Sequence, residues 1–375
     1  RVYRGLSDPL ALGATVRVPG MTATVRALTD DGRPRTVRFT FDQPAPDAQP
    51  TSADPLQILP PAFIAAVRDA AGDRADAALA GCAVAKQPSF RANTLKCRAG
   101  DLVKELREAG VPFDKHALSD WSFTTTVEGE RLLKERVAYK EGRLYSQGLA
   151  SHLPALVGPV RAGDRVLDAC AAPGGKATLL AMRLGEGGAG LTACDRAPGR
   201  YGILCHTMKL MGATKARALL CDARTPPPAV ARGNWDHILV DAPCTGTGTV
   251  RLDVRRTWEH LGIDYEQYVL SRARIQVALV ERAASLLGAG GTLVYSTCSM
   301  DPREDEAVVK HLLNLRAPLE PVDLSPWAKR FGAAAAPGVA SFRGTDYGDF
   351  TKACLRLWPS AAHEGFFVAM VRRKR

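Results

Sequence analysis

Two cysteines stand where a thiol could do covalent chemistry. Cys244 closes Asp241-Ala242-Pro243-Cys244 and leads into Thr245-Gly246-Thr247-Gly248; Cys298 sits in Tyr295-Ser296-Thr297-Cys298-Ser299. Each follows an apolar run of strand length, so each thiol is expected in a turn just beyond a strand end. A thiolate so placed can add to an electrophilic carbon. Carbon 5 of a pyrimidine is too weak a nucleophile to take a methyl group unaided. Addition of a thiolate to carbon 6 turns the ring into an enamine with nucleophilic character at carbon 5. An acid must then hydrogen-bond ring nitrogen 3, which suits Asp241, and a base must later remove the carbon 5 proton so that the thiol can leave. By contrast, Cys82, Cys170, Cys194, Cys205 and Cys354 read as small buried hydrophobes. Nine cysteines, an odd number without a CxxC pair, argue against a disulfide framework and a structural zinc site. A reducing intracellular compartment and no metal are therefore expected.

A second motif lies upstream. Val166-Leu167-Asp168-Ala169 reads as a buried strand, and Cys170-Ala171-Ala172-Pro173-Gly174-Gly175-Lys176 as a turn opening a helix. Glycines let the backbone approach a ligand, and the N–H groups at the helix start favour an anion. The spacing is neither GxGxxG nor GxxxxGK[ST], so a dinucleotide fingerprint and a P-loop are both missing. Asp195, Asp222 and Asp241 then follow at or just after successive strands. Carboxylates at neighbouring strand ends can bind a ribose and an exocyclic amine, and ligands sit at the carboxyl edge of such sheets. The set reads as a site for S-adenosylmethionine. For any one aspartate, helix capping is the plain alternative.

The elements that must position these residues can be read from the pattern. From Gly163 strands alternate with helices, as in a parallel doubly wound sheet. Strands are expected over 165–169, 190–193, 216–220, 237–240, 292–296 and 365–371, and helices over 176–184, 199–211, 264–287 and 304–315. Gly288-Ala289-Gly290-Gly291 reads as a turn, and 324–357 as irregular. Ahead of the sheet, 59–80 and 102–109 have helical spacing, with 111–113 strand-like. Residues 1–42 carry β-rich stretches at 14–18, 21–28 and 36–41, separated by Pro-Gly and by Asp30–Pro34. Gln43–Asp54 reads as a linker. The expected organisation is a β-rich segment over 1–54, a helical lead-in with a small α/β subdomain over 55–145, and an α/β catalytic domain over 146–375.

The chain has 375 residues, 46% of them apolar and 24% charged, an ordinary globular composition able to bury a core. No apolar run approaches the ~20 residues of a membrane-spanning helix, so no membrane partner is expected. Arg1 in place of Met, with no signal pattern behind it, suggests a trimmed product. Fifty Lys and Arg against 39 Asp and Glu leave a net charge of +11, which favours a polyanionic partner.

Asp168–Lys176, Asp241–Gly248 and Ser296–Ser299 closely resemble the Sun/RsmB/NSUN family of RNA (cytosine-5) methyltransferases. Arg91-Ala92-Asn93-Thr94-Leu95-Lys96 looks like that family's RxNTLK element, Gln147 and Ser151 like its Gln…Ser, and Gly365-Phe366-Phe367-Val368-Ala369 like its closing strand. The resemblance spans roughly residues 55–375. It implies a Rossmann-like class I S-adenosylmethionine-dependent sheet preceded by an RNA-binding subdomain. It further implies that Cys298 is the nucleophile and Cys244 assists elimination, whereas the Pro-Cys of DNA cytosine enzymes would point to Cys244. The cofactor would lie on Cys170, Ala171, Ala172, Pro173, Gly174, Gly175 and Lys176. Asp195 would hold its ribose, Asp222 the adenine, and Asp241 would contact the base and border the cofactor; Arg200 would also be a cofactor contact. Lys176 would face the target cytosine, a helix-start lysine being the plain alternative.

Three departures from the family pattern stand out: Asp301-Pro302-Arg303-Glu304-Asp305-Glu306 for Asn-Pro-x-Glu-Asn-Glu, Gly288–Gly291 for Lys-Pro-Gly-Gly, and Gly148 for Asp. None removes a catalytic group. Arg91, Lys96, Arg98, Lys104 and Arg107 are expected to meet RNA phosphates. Arg251, Arg255 and Arg256 would hold RNA near the thiols, and Val371–Arg375 forms a basic tail. Since two thiols must reach the base, an unpaired or flipped cytosine is expected. Ribosomal RNA is the expected substrate and transfer RNA the alternative. A silent scaffold of ribosome assembly is the non-enzymatic reading. A monomer, free or on ribosomal particles, is expected in the cytoplasm, with nucleolus or organelle matrix as alternatives.

Overall fold

The computed structural model describes residues 15–18, 21–28, 34–41, 55–262 and 264–375. Its contacts divide the chain into two units, Arg1–Pro55 and Leu56–Arg375. In the first, strands β1 (Thr15–Val18), β2 (Met21–Leu28) and β3 (Pro34–Phe41) form an antiparallel sheet in that order. The turn expected at 19–20, residues 30–33 of the turn expected over 30–34, and the linker at 43–54 lie outside the described residues; Pro34, the last residue of that turn, begins β3.

The second unit opens with helices α1 (Pro61–Ala71) and α2 (Ala75–Cys82). One helix was expected over 59–80; it breaks at Gly72, whose φ of 53° ends α1. Phe63, Val67, Leu79 and Cys82 from this pair pack against Tyr265, Val269 and Trp358. A smaller sheet follows, built from β4 (Ser89–Ala92), β5 (Phe113–Lys115), β6 (Ser122–Thr125) and β7 (Leu144–Ser146) in the order β5-β6-β4-β7. Helices α3 (Ala99–Glu108) and α4 (Val127–Glu135) lie between its strands. Thr126 caps α4 by accepting the Gly129 N–H at 3.0 Å. Leu102, Leu106 and Leu133 pack on Phe90 and Phe123, whose rings stack at 5.1 Å.

The rest is one mixed sheet with helices on both faces. Its elements run α5 (Leu149–Val157), β8 (Val166–Asp168), α6 (Gly175–Leu184), β9 (Leu191–Asp195), α7 (Pro198–Leu210), β10 (Arg217–Leu220), β11 (Trp235–Asp241), α8 (Tyr265–Leu286), β12 (Leu287–Thr297), α9 (Glu306–Leu313), β13 (Leu319–Val322), β14 (Ala335–Ala336), β15 (Leu355–Leu357) and β16 (Phe366–Arg373). The strand order is β10-β9-β8-β11-β12-β16-β15-β14, with β13 also paired to β16. Strands β8 to β12 are parallel, and β16 is antiparallel to β12. Alternation along the strands makes two cores. Leu239 and Val294 face α5 and α6, while Ile238, Val240, Leu293 and Tyr295 face α8 and α9.

Two further expectations need correction. Gly288–Gly291 is not a turn but the start of β12, which leaves α8 directly at Leu287. The 324–357 region, expected to be irregular, supplies β14 and β15 to the sheet. Among the described residues, no helix is long and apolar enough to cross a membrane.

Candidate active site

The carboxyl ends of the parallel strands bring the sequence motifs to one edge. Asp168 ends β8, Asp195 ends β9, Asp241 ends β11, and Cys298 follows the last residue of β12; Asp222 lies two residues past β10. A cleft of 540 Å³ runs along this edge, with Cys170, Pro173, Asp195, Asp222, Cys244 and Cys298 among its walls. Asp195 accepts the Ala172 N–H at 3.3 Å and the Ala197 N–H at 3.0 Å, so it also ties the loop to the start of α7. Arg200 donates to the Ala172 carbonyl at 2.6 Å and stands 3.6 Å from Asp195. Asp222 is gripped by the Arg224 guanidinium, whose hydrogen bonds hold its carboxyl below the usual range despite some burial.

Asp168 is fully buried, one oxygen accepting the Cys170 N–H at 3.3 Å and the other, Oδ2, having no hydrogen-bond partner. Burial, reinforced by Asp241, pushes it up to about 7. A buried acceptor without a donor beside an open cleft is a place for a cationic or N–H-bearing ligand group.

Lys176, at the start of α6, reaches Asp241 at 2.7 Å and Ser151 Oγ at 2.8 Å, over the Phe366 ring at 5.4 Å. Ser296 lies directly opposite Asp241 in the β11–β12 register and donates to its second oxygen at 2.8 Å. Burial works against the Lys176 ammonium, but Asp241, helped by Cys298 and Asp168, more than offsets it and holds the group above its ordinary value. A smaller cavity of 140 Å³ adjoins, between Tyr145–Gln147 of the smaller sheet and the 170–176 loop; Lys176 and Asp241 face it too.

Cys244 and Cys298 meet with their sulfurs 3.3 Å apart. The hydrogen bond to Cys298 and then burial push the Cys244 thiol well above its ordinary value. The two turns are laced by backbone. Gly248 N donates to the Cys298 carbonyl at 2.8 Å, Gly365 N to the Gly248 carbonyl at 2.9 Å, and Met300 N to Thr247 Oγ1 at 2.8 Å. Below them, Arg356 of β15 donates to Asp305 at 2.8 Å, Glu306 at 2.6 Å and the Met300 carbonyl at 3.0 Å. Breaking such a buried pair from one side costs about 3–5 kcal/mol.

Several expectations fare differently. Arg91 is not a phosphate contact: it is fully buried and donates to Gln147 at 3.0 Å, the Gly175 carbonyl at 3.1 Å and Thr178 at 2.7 Å. Its guanidinium thereby joins β4 to the first turn of α6. Lys96, Arg98, Lys104 and Arg107 are exposed, though Lys96 is engaged with the Glu141 carbonyl at 2.7 Å. Arg251 pairs with Asp253 and Arg255 with Glu259, leaving Arg256 exposed without an ion pair among the described residues. Cys170 and Cys205 are half-buried rather than buried, and Cys170 lines the cleft. Ser151, Ser296, Asp168 and Glu304 lay inside quoted motifs without a role; only the register and the fold bring them to the site. Among the described residues, no group of three or more His, Cys, Asp or Glu could hold a metal ion.

The family model for 16S rRNA methyltransferase RsmB/F matches residues 156–372. "Ribosomal RNA small subunit methyltransferase F" of Aeromonas salmonicida (strain A449) is 32% identical over 315 residues, 80% of this chain and 60% of the relative. The human "28S rRNA (cytosine(4447)-C(5))-methyltransferase" is 31% identical over 77% of this chain and 35% of its own length. The chain thus spans about 60% of the bacterial relative. Among solved structures, a methyltransferase homolog protein from Pyrococcus horikoshii superposes with a TM-score of 0.68 at 25% identity, covering 84% of this chain and all of that one. NSun6 from the same organism, solved with SFG, shares the fold with a TM-score of 0.69 at 21% identity over 85% of this chain and 100% of that one.

Proposed function

The chain belongs to the RsmB/F family of 16S rRNA methyltransferases, and from that premise we propose that it methylates carbon 5 of a ribosomal RNA cytosine through a covalent bond to Cys298. The observation that carries this reading is the thiol pair, 3.3 Å apart on the cleft that also holds the strand-end aspartates.

S-adenosylmethionine bound in the cleft would supply an electrophilic methyl group. The residues present fit it. Asp168 Oδ2, buried and unpartnered, suits an ammonium; the start of α6 suits a carboxylate; Asp195 and Asp222 offer acceptors to hydroxyl and amino groups. Arg200 and the backbone of Cys170–Lys176 complete that wall.

Cys298 adds as its thiolate to carbon 6 of the cytosine. Asp241 presents a carboxyl group to the ring, oriented by Ser296 and Lys176 from either side. Once carbon 5 is methylated, a base takes its proton, the carbon 5–carbon 6 double bond re-forms, and the electron pair of the carbon 6–sulfur bond returns to Cys298 as thiolate. Cys244, in contact with Cys298, assists that release. The protein is read as acting as a monomer in a reducing compartment on a flipped or unpaired base.

Trapping tests the reading. Cys244→Ala should accumulate a denaturation-resistant protein–RNA complex when incubated with total RNA and cofactor, and Cys298→Ala should give none. Sequencing the attached RNA distinguishes ribosomal from transfer RNA. Complexes only with Cys298→Ala would exchange the two roles, and methyl transfer by the unaltered protein with no complex from either variant would sink the thiol-adduct mechanism.

A further inference from the structure

Behind the two thiols, out of reach of solvent, lies the carboxylate of Glu304. One of its oxygens accepts the Thr245 backbone N–H at 3.0 Å and the Gln276 side-chain amide at 2.9 Å. The other accepts the Thr245 hydroxyl at 2.5 Å and the Ser299 hydroxyl at 2.7 Å. Thr245 directly follows Cys244, and Ser299 directly follows Cys298. Gln276, on α8, also donates to the carbonyl of Pro243, the residue before Cys244, at 3.1 Å. A single carboxylate is therefore bonded to the neighbour of each cysteine, and through Gln276 to the other side of Cys244. All four donors converge on an acceptor-only group, the arrangement a carboxylate satisfies and an amide cannot.

We propose that Glu304 is a positioning residue that sets the separation and mutual orientation of Cys298 and Cys244. The proposal rests on the methyltransfer reading above and deepens it: attachment of the base and its release depend on the same carboxylate. With its oxygens engaged by these donors and the thiol turns between it and the cleft, Glu304 acts on the cysteines' backbones rather than on the base. Burial pushes its carboxyl up to about 7, against the pull of the Thr245, Ser299 and Gln276 hydrogen bonds. The titratable groups around it are Asp301 and Asp305 on its own turn, Cys244 after β11, Tyr295 on β12 and Tyr265 on α8, with Arg356 of β15 paired to Asp305.

The first readout needs no RNA. Diamide takes two hydrogens from a thiol pair, is reduced to the hydrazine and leaves a disulfide, at a rate that reports how well the two sulfurs are juxtaposed. The Cys244–Cys298 cross-linked peptide, followed by mass spectrometry, should form about tenfold more slowly in Glu304→Gln than in the unaltered protein. Methylation should fall about 100-fold, the scale of an ångström-sized misplacement, and adduct that does form should release more slowly. Cofactor affinity should stay near that of the unaltered protein, while the melting temperature falls by a few degrees because the amide leaves buried donors mismatched. If Glu304→Gln does not fold, Ser299→Ala and Thr245→Val each delete one donor and should slow cross-linking in the same direction. Unchanged cross-linking in folded Glu304→Gln, or in both donor variants, would overturn the proposal whatever the RNA assays show. Slowed cross-linking with no methylation by the unaltered protein would uphold the positioning role while removing the function it serves.

Discussion

His237 sits on β11 with its ring against the Gly158 backbone, Nδ1 bonded to Thr292 Oγ1 at 2.8 Å and Nε2 buried without a partner. Burial, with some help from Arg183, pushes it down to about 3. The unfolded chain protonates this ring near its ordinary 6.5, the folded one only near 3. Between those values the unfolded state binds the extra proton, so the contribution is present above about pH 6.5 and is lost as pH falls, at about 1.4 kcal/mol per pH unit. Asp168 and Glu304, raised to about 7, oppose this: their contribution is present below the unfolded carboxyl range and is lost as pH rises through about 7. His237→Asn isolates the histidine. Urea titrations should show it less stable than the unaltered protein near pH 7, with the gap closing toward pH 4. A constant gap would refute the neutral buried ring. The meeting of Cys244 and Cys298 at one sheet edge was legible because both sit in short contiguous motifs just beyond strand ends. Glu304 was legible as a letter but not as a role, because only Ser299 among its partners is close in sequence, while Thr245 and Gln276 lie 59 and 28 residues away. Arg91 was misread because a guanidinium looks the same in sequence whether it faces a phosphate or a buried carbonyl.

At the scale of elements, the Thr247–Thr249 turn lies flat against the start of β16. A methyl group on Gly248 would stand 2.2 Å from the Gly365 carbonyl oxygen and 2.9 Å from that of Cys298. All of these are backbone atoms with nowhere to go. Gly248→Ala should cost about 1–3 kcal/mol and lower adduct yield more than its stability loss explains, since the displaced turn carries Cys244. Gly202, within α7, has no atom within 4 Å of such a methyl. Gly202→Ala should instead stabilise by about 0.5–1 kcal/mol. Thermal melts of the two variants, moving in opposite directions, check both; a shared direction would contradict the geometry. The parallel strands were readable from apolar runs bounded by turn residues. The insertion of antiparallel β16 between β12 and β15 was not, because strand order depends on which edges remain free once the other strands have paired. The break at Gly72 was missed because apolar spacing continues across it.

For the whole molecule, the net charge of +11 is a statement about association rather than fold. Many of the cations are paired, and such pairs already cancel in the net: Arg356 and Arg303 bond carboxylates in the interior, while Arg251 and Arg255 have acidic neighbours. Arg256 has none among the described residues and is exposed. Arg256→Gln should weaken RNA binding and make its dependence on salt shallower by about 0.7 in the log–log slope, the value for one phosphate of a single strand. Binding measured across a salt series checks this, and an unchanged slope would remove Arg256 from the RNA face. Composition points toward a polyanionic partner but not to which cations are free, because pairing is decided by the fold.

Arg91 carries one further consequence, for how variants of this protein are classified. Its backbone belongs to the smaller sheet and its guanidinium to the first turn of α6, where it holds the Gly175 carbonyl and Thr178. A survey scoring RNA capture would file it with the anchoring residues. One scoring cofactor retention would file it with the 170–176 loop. Both phenotypes would trace to a single buried cation joining two structural layers, so assigning it to one ligand from either phenotype alone would mistake a joint for a contact.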